Sequence, residues 1–464
     1  MAVLALAAAN LGLRLGGEMV DVWDESLYAN SALEMVRCGD WLVTTFLGQP
    51  DYYNSKPPLN VWLIALLFKL IGPGLWTLRA WSVASAFATI AVVRAWTRRL
   101  ADDATANLAA LVLATTYAFL YVHAGRTGNA DAMLTLVVSL TAIATWRAHD
   151  HPGTAMWIGP LAATAFMLKG PGAGAFVLPI VIADAVWRVR WSWAERAWWG
   201  ALAAGVGLAA VPVAVWAVAR WLVDGWALFD HMLNYDIGAR VAAPIEGHDE
   251  PWWFYGSVLS RYWYDWLAAL ALVAGLAPAA VRRLWARWMA RPSHEHWIAG
   301  GWLVATVIVP TVVPTRLAWY LNPFYPGAAL VGALLIREAW TSLRAEGAQA
   351  RAWLVAILAV AAALTAEGRI AFRSQRLDVG NSAQGLLLAQ REAIAGHRVF
   401  AAFCPYPEVF LASAAGSACV AVHDVDAFIA ASAPGDFWLD RHDATPEGLT
   451  RVDANRRASL HRRP

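Results

Sequence analysis

Charge is scarce in this chain. Only 15% of its 464 residues are Asp, Glu, Lys or Arg, against about 25% in soluble domains. That scarcity excludes a disordered chain or a coiled coil. With a net charge of +2 there is no basic domain to neutralise nucleic acid. Cysteine is scarcer still: three residues make no disulfide framework. Cys38 stands alone, while Cys404 and Cys419 are close enough in sequence to bridge in an oxidising compartment. The sequence has no Gly-rich loop following a strand, no internal repeat and no low-complexity linker, which argues against a nucleotide site of the cytosolic kind. Met1 to Leu15 is apolar but lacks a basic start and a convincing cleavage site, so it reads as a first membrane span rather than a removed signal.

What remains is apolar. Hydrophobic residues make up 59% of the chain and there are 28 tryptophans, with a mean hydropathy of +0.45. A single soluble core cannot hide that much apolar surface, and indole rings favour the membrane–water interface. The chain therefore reads as a polytopic α-helical membrane protein. Spans of about 20 apolar residues are expected near 2–18, 75–97, 104–122, 131–147, 153–168, 172–187, 198–221, 258–281, 297–314, 319–337 and 352–367. The shorter run 59–72, bounded by Pro57-Pro58 and Gly72-Pro73-Gly74, reads as a helix lying in the interface or dipping partway in.

Arginine sets the orientation. One set of alternate connections holds Arg94, Arg98 and Arg99; Arg147; Arg188, Arg190 and Arg196; Arg282, Arg283, Arg287 and Arg291; and Arg337, Arg344 and Arg351. The other holds Arg37, Lys56, Arg126, Lys169, Arg240 and Arg316, spread over longer loops. The first set is assigned to the cytoplasm. Residues 1–369 then form the membrane domain, with long outer loops at 19–58 and 222–257. Residues 370–464 form a small extracytoplasmic α/β domain. Its expected strands are Val399 to Cys404, Cys419 to Val422 and Phe437 to Leu439, and the basic end Arg456 to Pro464 is expected to fray.

Polar chemistry is expected in the outer loops. The first carries Glu18, Asp21, Asp24, Glu25, Glu34, Asp40 and Asp51, opposed only by Arg37 and Lys56. Asp24 precedes a helical pattern, so it reads either as an N-cap or as a carboxylate held ionised as a general base. Lys56, before two prolines, reads as a phosphate-binding point charge or as a snorkelling side chain. Asp131 opens an apolar helix, again a cap or a site residue, with Arg126 five residues earlier as a possible partner. Lys169-Gly170-Pro171-Gly172 reads as a tight turn. Arg240 reads as a phosphate clamp or as the partner of Asp236, with His248 further along the same loop. Trp319 and Tyr320 are aromatic-belt residues or cavity lining. His294-Glu295-His296 is set aside, because i,i+2 spacing on a helix points two side chains apart.

Taken in order, these residues form a pattern: Asp24-Glu25-x-x-Tyr28-Ala29, Gly39-Asp40-Trp41, Phe46-Leu47-Gly48, Tyr53-x-x-Lys56-Pro57-Pro58, Asp131-x-Met133-Leu134-Thr135, Leu168-Lys169-Gly170, Asn234 to Arg240, and Trp319-Tyr320-x-x-Pro323. The ordered set resembles the GT-C glycosyltransferases of the ArnT-like and protein O-mannosyltransferase type over about residues 18–337. The resemblance implies a GT-C fold with about 11–13 transmembrane helices. It also implies a polyprenyl-phosphate-linked sugar as donor and a lipid, glycan or protein acceptor at the outer face of the bacterial cytoplasmic membrane. By matching positions, Asp24 is the base, with Glu25 and Asp131 in support. Lys56 and Arg240 hold the donor phosphate. Tyr53, Arg126, Lys169, His248, Trp319 and Tyr320 belong to the substrate site. Where the ArnT branch often has Phe-Glu before Lys-Pro, this chain has Asn54-Ser55, so no obligatory metal is expected, with a divalent ion as the alternative. Arg316 stands where that branch usually has a lysine. A transporter or flippase of lipid-linked sugars is the second reading, set against charges in loops rather than at a membrane midplane.

Overall fold

A computed structural model describes residues 1–191, 196–239, 242–244, 247–289, 294–375, 379–441 and 445–464. The expected position Arg240 lies outside them. Each of the eleven expected spans falls on helix, but several are shorter or broken. Helices α1 (Ala2–Gly12), α2 (Asp24–Cys38), α3 (Leu59–Leu70), α4 (Leu75–Leu100), α5 (Asp103–Ala114), α6 (Tyr117–Tyr121), α7 (Asp131–Arg147), α8 (Ile158–Lys169), α9 (Gly174–Trp191) and α10 (Arg196–Asp224) come first. Further helices follow at Phe254–Tyr262, Tyr264–Leu276, Pro278–Met289, His294–Val312, Phe324–Ala345 and Gln349–Gln375.

By length and hydropathy, α4, α10, the stretch Pro152–Val189 and the helix beginning at Gln349 each suffice to cross a bilayer. Ala2–Gly17, Leu59–Leu70, Asp103–Ala114 and Trp297–Val312 are apolar but shorter. The breaks have local causes. The first span stops at Gly12, and Arg14 then adopts a left-handed backbone. The span expected at 104–122 splits at Thr115 and Thr116. Their hydroxyls donate back to the carbonyls of Leu111 and Val112 and accept the indole N–H groups of Trp266 and Trp263. Satisfying two buried indoles in this way is worth a helix break. The span expected at 258–281 bends by 94° between Tyr264–Leu276 and Pro278–Ala286, where proline begins the second piece.

The tail is an α/β unit around a five-stranded sheet. Short strands β1 (Thr45–Phe46) and β2 (Gln49–Pro50) make a hairpin in the first loop, and β3 (Arg398–Ala401), β4 (Ala418–Ala421), β5 (Phe437–Asp440), β6 (Thr450–Ala454) and β7 (Ser459–Arg462) make the sheet. The order is β4-β3-β5-β7-β6, parallel across β4, β3 and β5 and antiparallel across β5, β7 and β6. Strand residues alternate between two faces. Val399, Phe437, Leu439 and Leu460 join the core formed with α2 and α3, whereas Phe400 and Trp438 pack on Phe428. The expectation of a frayed end is corrected here. Leu460 and His461 are fully buried in β7, an inner strand with Leu460 opposite Leu439. Four residues are too few for periodicity to show against the flanking arginines. The helix Gln349–Gln375 runs through the expected boundary at 369/370. Cys404 and Cys419 form a disulfide from the end of β3 to β4, with a Cα separation of 6.0 Å.

The tail sits on the first loop. Phe410 stacks on Phe68 of α3, Gln384 exchanges hydrogen bonds with the Val20 backbone, and Asn30 of α2 donates to the Tyr406 carbonyl. This packing fixes α2, and with it Asp24.

Candidate active site

Asp24 is not an N-cap. Helix α2 begins at Asp24 itself after Trp23, without a side-chain cap. Its carboxylate instead lies 3.3 Å from Lys56 Nζ. Asp131 repeats the arrangement. It is the first residue of α7, does not cap it, and pairs with Lys169 at the end of α8. Both aspartates thus sit in the first turn of a helix, where the macrodipole favours negative charge. In both cases the counter-charge comes from a lysine distant in sequence. Only three lysines occur in the whole chain, and two of them are here.

The Asp24–Lys56 pair is partly open. Lys56 and Asp24 keep about a quarter of their side-chain surface, 23% and 25%. Asp131, at 5%, is deeper. Burial raises the Asp24 pKa, but the nearby Lys56, His123 and Lys169 outweigh it and hold the carboxyl below its ordinary value. Asp21 behaves oppositely: burial and the neighbouring Glu25 push it up. Aromatic rings surround the lysines. Lys56 lies 5.4 Å from the Tyr28 ring and Lys169 lies 5.6 Å from that of Tyr320. Tyr53, half exposed, faces Tyr235 at 6.2 Å. Tyr406 of the tail packs on Trp23 and Phe46. Tyr235 belongs to a π-helical turn, Met232–Ala239.

Two expected site residues are elsewhere. Glu25 is fully buried. Arg79 of α4 holds both of its oxygens at 2.7 and 3.1 Å, and the Gly128 and Asp21 amides donate to them. Arg126 does not meet Asp131. It is buried on Glu18 at 2.5 Å and donates to the carbonyls of Asn10, Leu11 and Leu13. A carboxylate and a guanidinium saturated in this way brace α1, α2 and the 124–130 loop. Gly128 is needed for that bracing, since a Cβ there would lie 2.8 Å from Leu78.

The remaining positions are distributed. His248 is half-buried in the 247–251 segment. Arg316 ties the Thr311 and Glu250 carbonyls together. Trp319 stacks flat on His123, ring centres 3.8 Å apart. Among the described residues, no three His, Cys, Asp or Glu side chains group as a metal site. His294 is buried on Asp184 at 2.6 Å and stacks on His149, away from these residues in the fold.

Two residues escaped the sequence reading. Arg79 is a lone charge near the start of an apolar helix; such a charge in a span is itself the signal of a partner. His123 has a left-handed backbone, φ +54°, uncommon for a non-glycine residue, though histidine is among those that adopt it most readily. Its only sequence signal was a histidine between two apolar helices.

The comparisons bear on this geometry. Residues 55–216, which contain Lys56, Asp131 and Lys169, match the family described as dolichyl-phosphate-mannose-protein mannosyltransferase. The undecaprenyl phosphate-alpha-4-amino-4-deoxy-L-arabinose arabinosyl transferase of Pseudomonas aeruginosa is 30% identical over 337 residues, 68% of this chain and 55% of that one. That of Pseudomonas paraeruginosa is 29% identical over 331 residues, with the same shares. The crystal structure of ArnT from Cupriavidus metallidurans bound to undecaprenyl phosphate superposes with a TM-score of 0.71 at 16% identity, over 99% of this chain and 97% of that one. The chain is similar in sequence to the ArnT-like transferases and shares the GT-C fold of ArnT. The fold extends beyond ArnT itself: the Archaeoglobus fulgidus oligosaccharyltransferase matches with a TM-score of 0.56 at 14% identity, over 92% of this chain and 65% of that one. In sequence, the chain spans about half the length of the curated ArnT-like relatives it matches.

Proposed function

We propose that the protein is an integral-membrane inverting glycosyltransferase. It moves a pentosyl or hexosyl group from a polyprenyl phosphate to an acceptor hydroxyl on lipid A, another envelope glycan or a protein. The observation that carries this reading is the pair of Asp–Lys contacts at helix N-termini, Asp24–Lys56 and Asp131–Lys169, gathered among aromatic rings.

In this mechanism Asp24 takes the acceptor proton as the acceptor oxygen attacks the anomeric carbon. The bond from that carbon to the phosphate oxygen breaks, and its electron pair leaves on the polyprenyl phosphate. Lys56 and Lys169 meet the growing phosphate charge, an electrostatic contribution that is commonly the largest in such sites. Asp131 holds Lys169 in place. The low pKa of Asp24 keeps it ionised and ready as a base at neutral pH. Arg240 enters as a phosphate ligand by its match to the family pattern alone. Tyr53, Trp319 and Tyr320 line the sugar and lipid path, with His248 at its edge. Glu25 and Arg126 serve the scaffold.

The site and the tail are placed on the outer face of the cytoplasmic membrane. Support comes from the arginine-rich opposite connections and from the Cys404–Cys419 disulfide, which suits an oxidising compartment.

Mass spectrometry of envelope lipids and glycans from a deletion strain tests the reading. A glycan modification is lost, and wild-type protein restores it while Asp24→Asn does not. An unchanged profile overturns the transferase. Restoration by Asp24→Asn overturns the base and favours transport of a lipid-linked sugar.

A further inference from the structure

A cavity of about 500 Å³ lies at the end of the bundle opposite Asp24. One wall is the helix Pro278–Met289, which leaves the preceding helix at 94°. A helix turned this sharply from a membrane span runs along the bilayer surface. Its inner side brings Leu284 and Trp285 against Leu100 of α4, Ala274, and Leu330 and Leu334 of the helix Phe324–Ala345. Trp285 stays largely exposed, as an interfacial indole does.

The rim is cationic. Arg99 and Arg337 line it, and Arg282 and Arg283 lie exposed on the surface helix. Nearby acids are already engaged: Asp102 by Arg337 at 2.8 Å, Asp103 by Arg98 at 3.0 Å and Glu346 by Arg283 at 3.2 Å. Glu338, the acid lining the cavity, is buried and held within the protein. Among the described residues, Arg99 and Arg282 have no acidic partner. An apolar chamber beneath unneutralised guanidinium groups, closed by an interfacial tryptophan, matches one chemistry: an acyl chain inside and a phosphate at the rim.

We propose that this cavity is a binding site for an anionic glycerophospholipid of the surrounding leaflet. One acyl chain lies against Leu100, Leu284 and Leu334, and the phosphate sits at Arg99. The site is separate from the Asp24–Lys56 centre and would pin the surface helix to the bundle.

Native mass spectrometry of the purified full-length protein, with phosphatidylglycerol or phosphatidylcholine added to the detergent, tests this. Phosphatidylglycerol should be retained about fivefold more than phosphatidylcholine, consistent with an arginine's attraction to an anionic headgroup. Leu334→Trp, which fills the chamber, should reduce retention of both lipids roughly tenfold. Arg99→Gln, on an exposed side chain, should abolish the preference and keep basal retention. Melting temperature and size-exclusion profile report folding of each variant. If Leu334→Trp fails to fold, Ala274→Leu takes its place. Equal retention of the two lipids by the wild type overturns the proposal. So does a preference that survives both variants, and so does displacement of phosphatidylglycerol by undecaprenyl phosphate at equal concentration.

Discussion

Asp24 and Glu25 are neighbours in sequence and opposites in structure. Asp24 meets a lysine and keeps a quarter of its surface. Glu25 meets an arginine, has no exposed surface and spends every acceptor on the protein. Asp131–Lys169 and Glu18–Arg126 differ in the cation rather than in carboxylate exposure, with Asp131 at 5% and Glu18 at 10%. The lysine pairs join a single ammonium to a carboxylate, so either partner can change ligand. The arginine pairs are locked by backbone carbonyls in a fixed fork. Under the proposed mechanism, charge alone does not mark a catalytic residue; the marks are a partly exposed carboxylate and a lysine rather than an arginine beside it.

The largest effect should follow from breaking the open side of this contrast. Asp24→Asn should lower transfer by about 10²–10⁴-fold, the usual range for a lost general base, while the melting temperature stays near that of the wild type. A comparable loss of stability would place Asp24 with the scaffold.

Breaking the sealed side should do the reverse. Glu25→Ala strands the buried Arg79 guanidinium and should cost about 3–5 kcal/mol, read as a large drop in thermal midpoint and yield. Exchanging both partners for methionine should recover much of it. A fully stable Glu25→Ala would dissolve the distinction.

A finer test uses pH. The Asp24 pKa is lowered, so any stability it contributes is present above the unfolded aspartate value and lost as pH falls through the lower folded one. Its basic form should likewise persist below about pH 4, and the acid limb of the rate profile should lie there. In Lys56→Met, burial acts against one fewer cation, so the acid limb should move to higher pH as the rate falls. A limb that does not move would detach the two groups.

The smallest effect belongs to His123. His123→Asn fits the left-handed backbone better and should stabilise by up to about 1 kcal/mol. Loss of the stack on Trp319 should lower transfer several-fold. A gain in both stability and rate would make the histidine incidental to the chemistry.

The site was partly legible in the chain. Lys56 before Pro57 and Asp131 at a helix start were readable, because each interrupts an apolar run at its edge. The pairing was not. Arg126 stood five residues from Asp131 and looked like its partner, yet Lys169, thirty-eight residues away, takes that place. A helix N-terminus also suggests capping, but each aspartate is the first helical residue and meets a lysine distant in sequence instead. The tail gave up β3, β4 and β5 through their apolar runs. It concealed β7, whose burial depends on Leu460 and His461 lying between two other strands.

By itself, the sequence determined the solvent. Fifteen per cent charge and a mean hydropathy of +0.45 leave a bilayer as the place where this chain can fold. The ordered motifs of the loops carry its resemblance to the ArnT-like transferases. The tertiary structure decided which of the few charges are sealed as braces and which stay partly exposed. That distinction rests on saturation: whether the packing of α1, α4 and the 124–130 loop spends every hydrogen bond of a carboxylate or leaves one for a substrate. Local sequence does not encode it, because the partners of Asp24, Glu25 and Asp131 come from positions 32, 54 and 38 residues away.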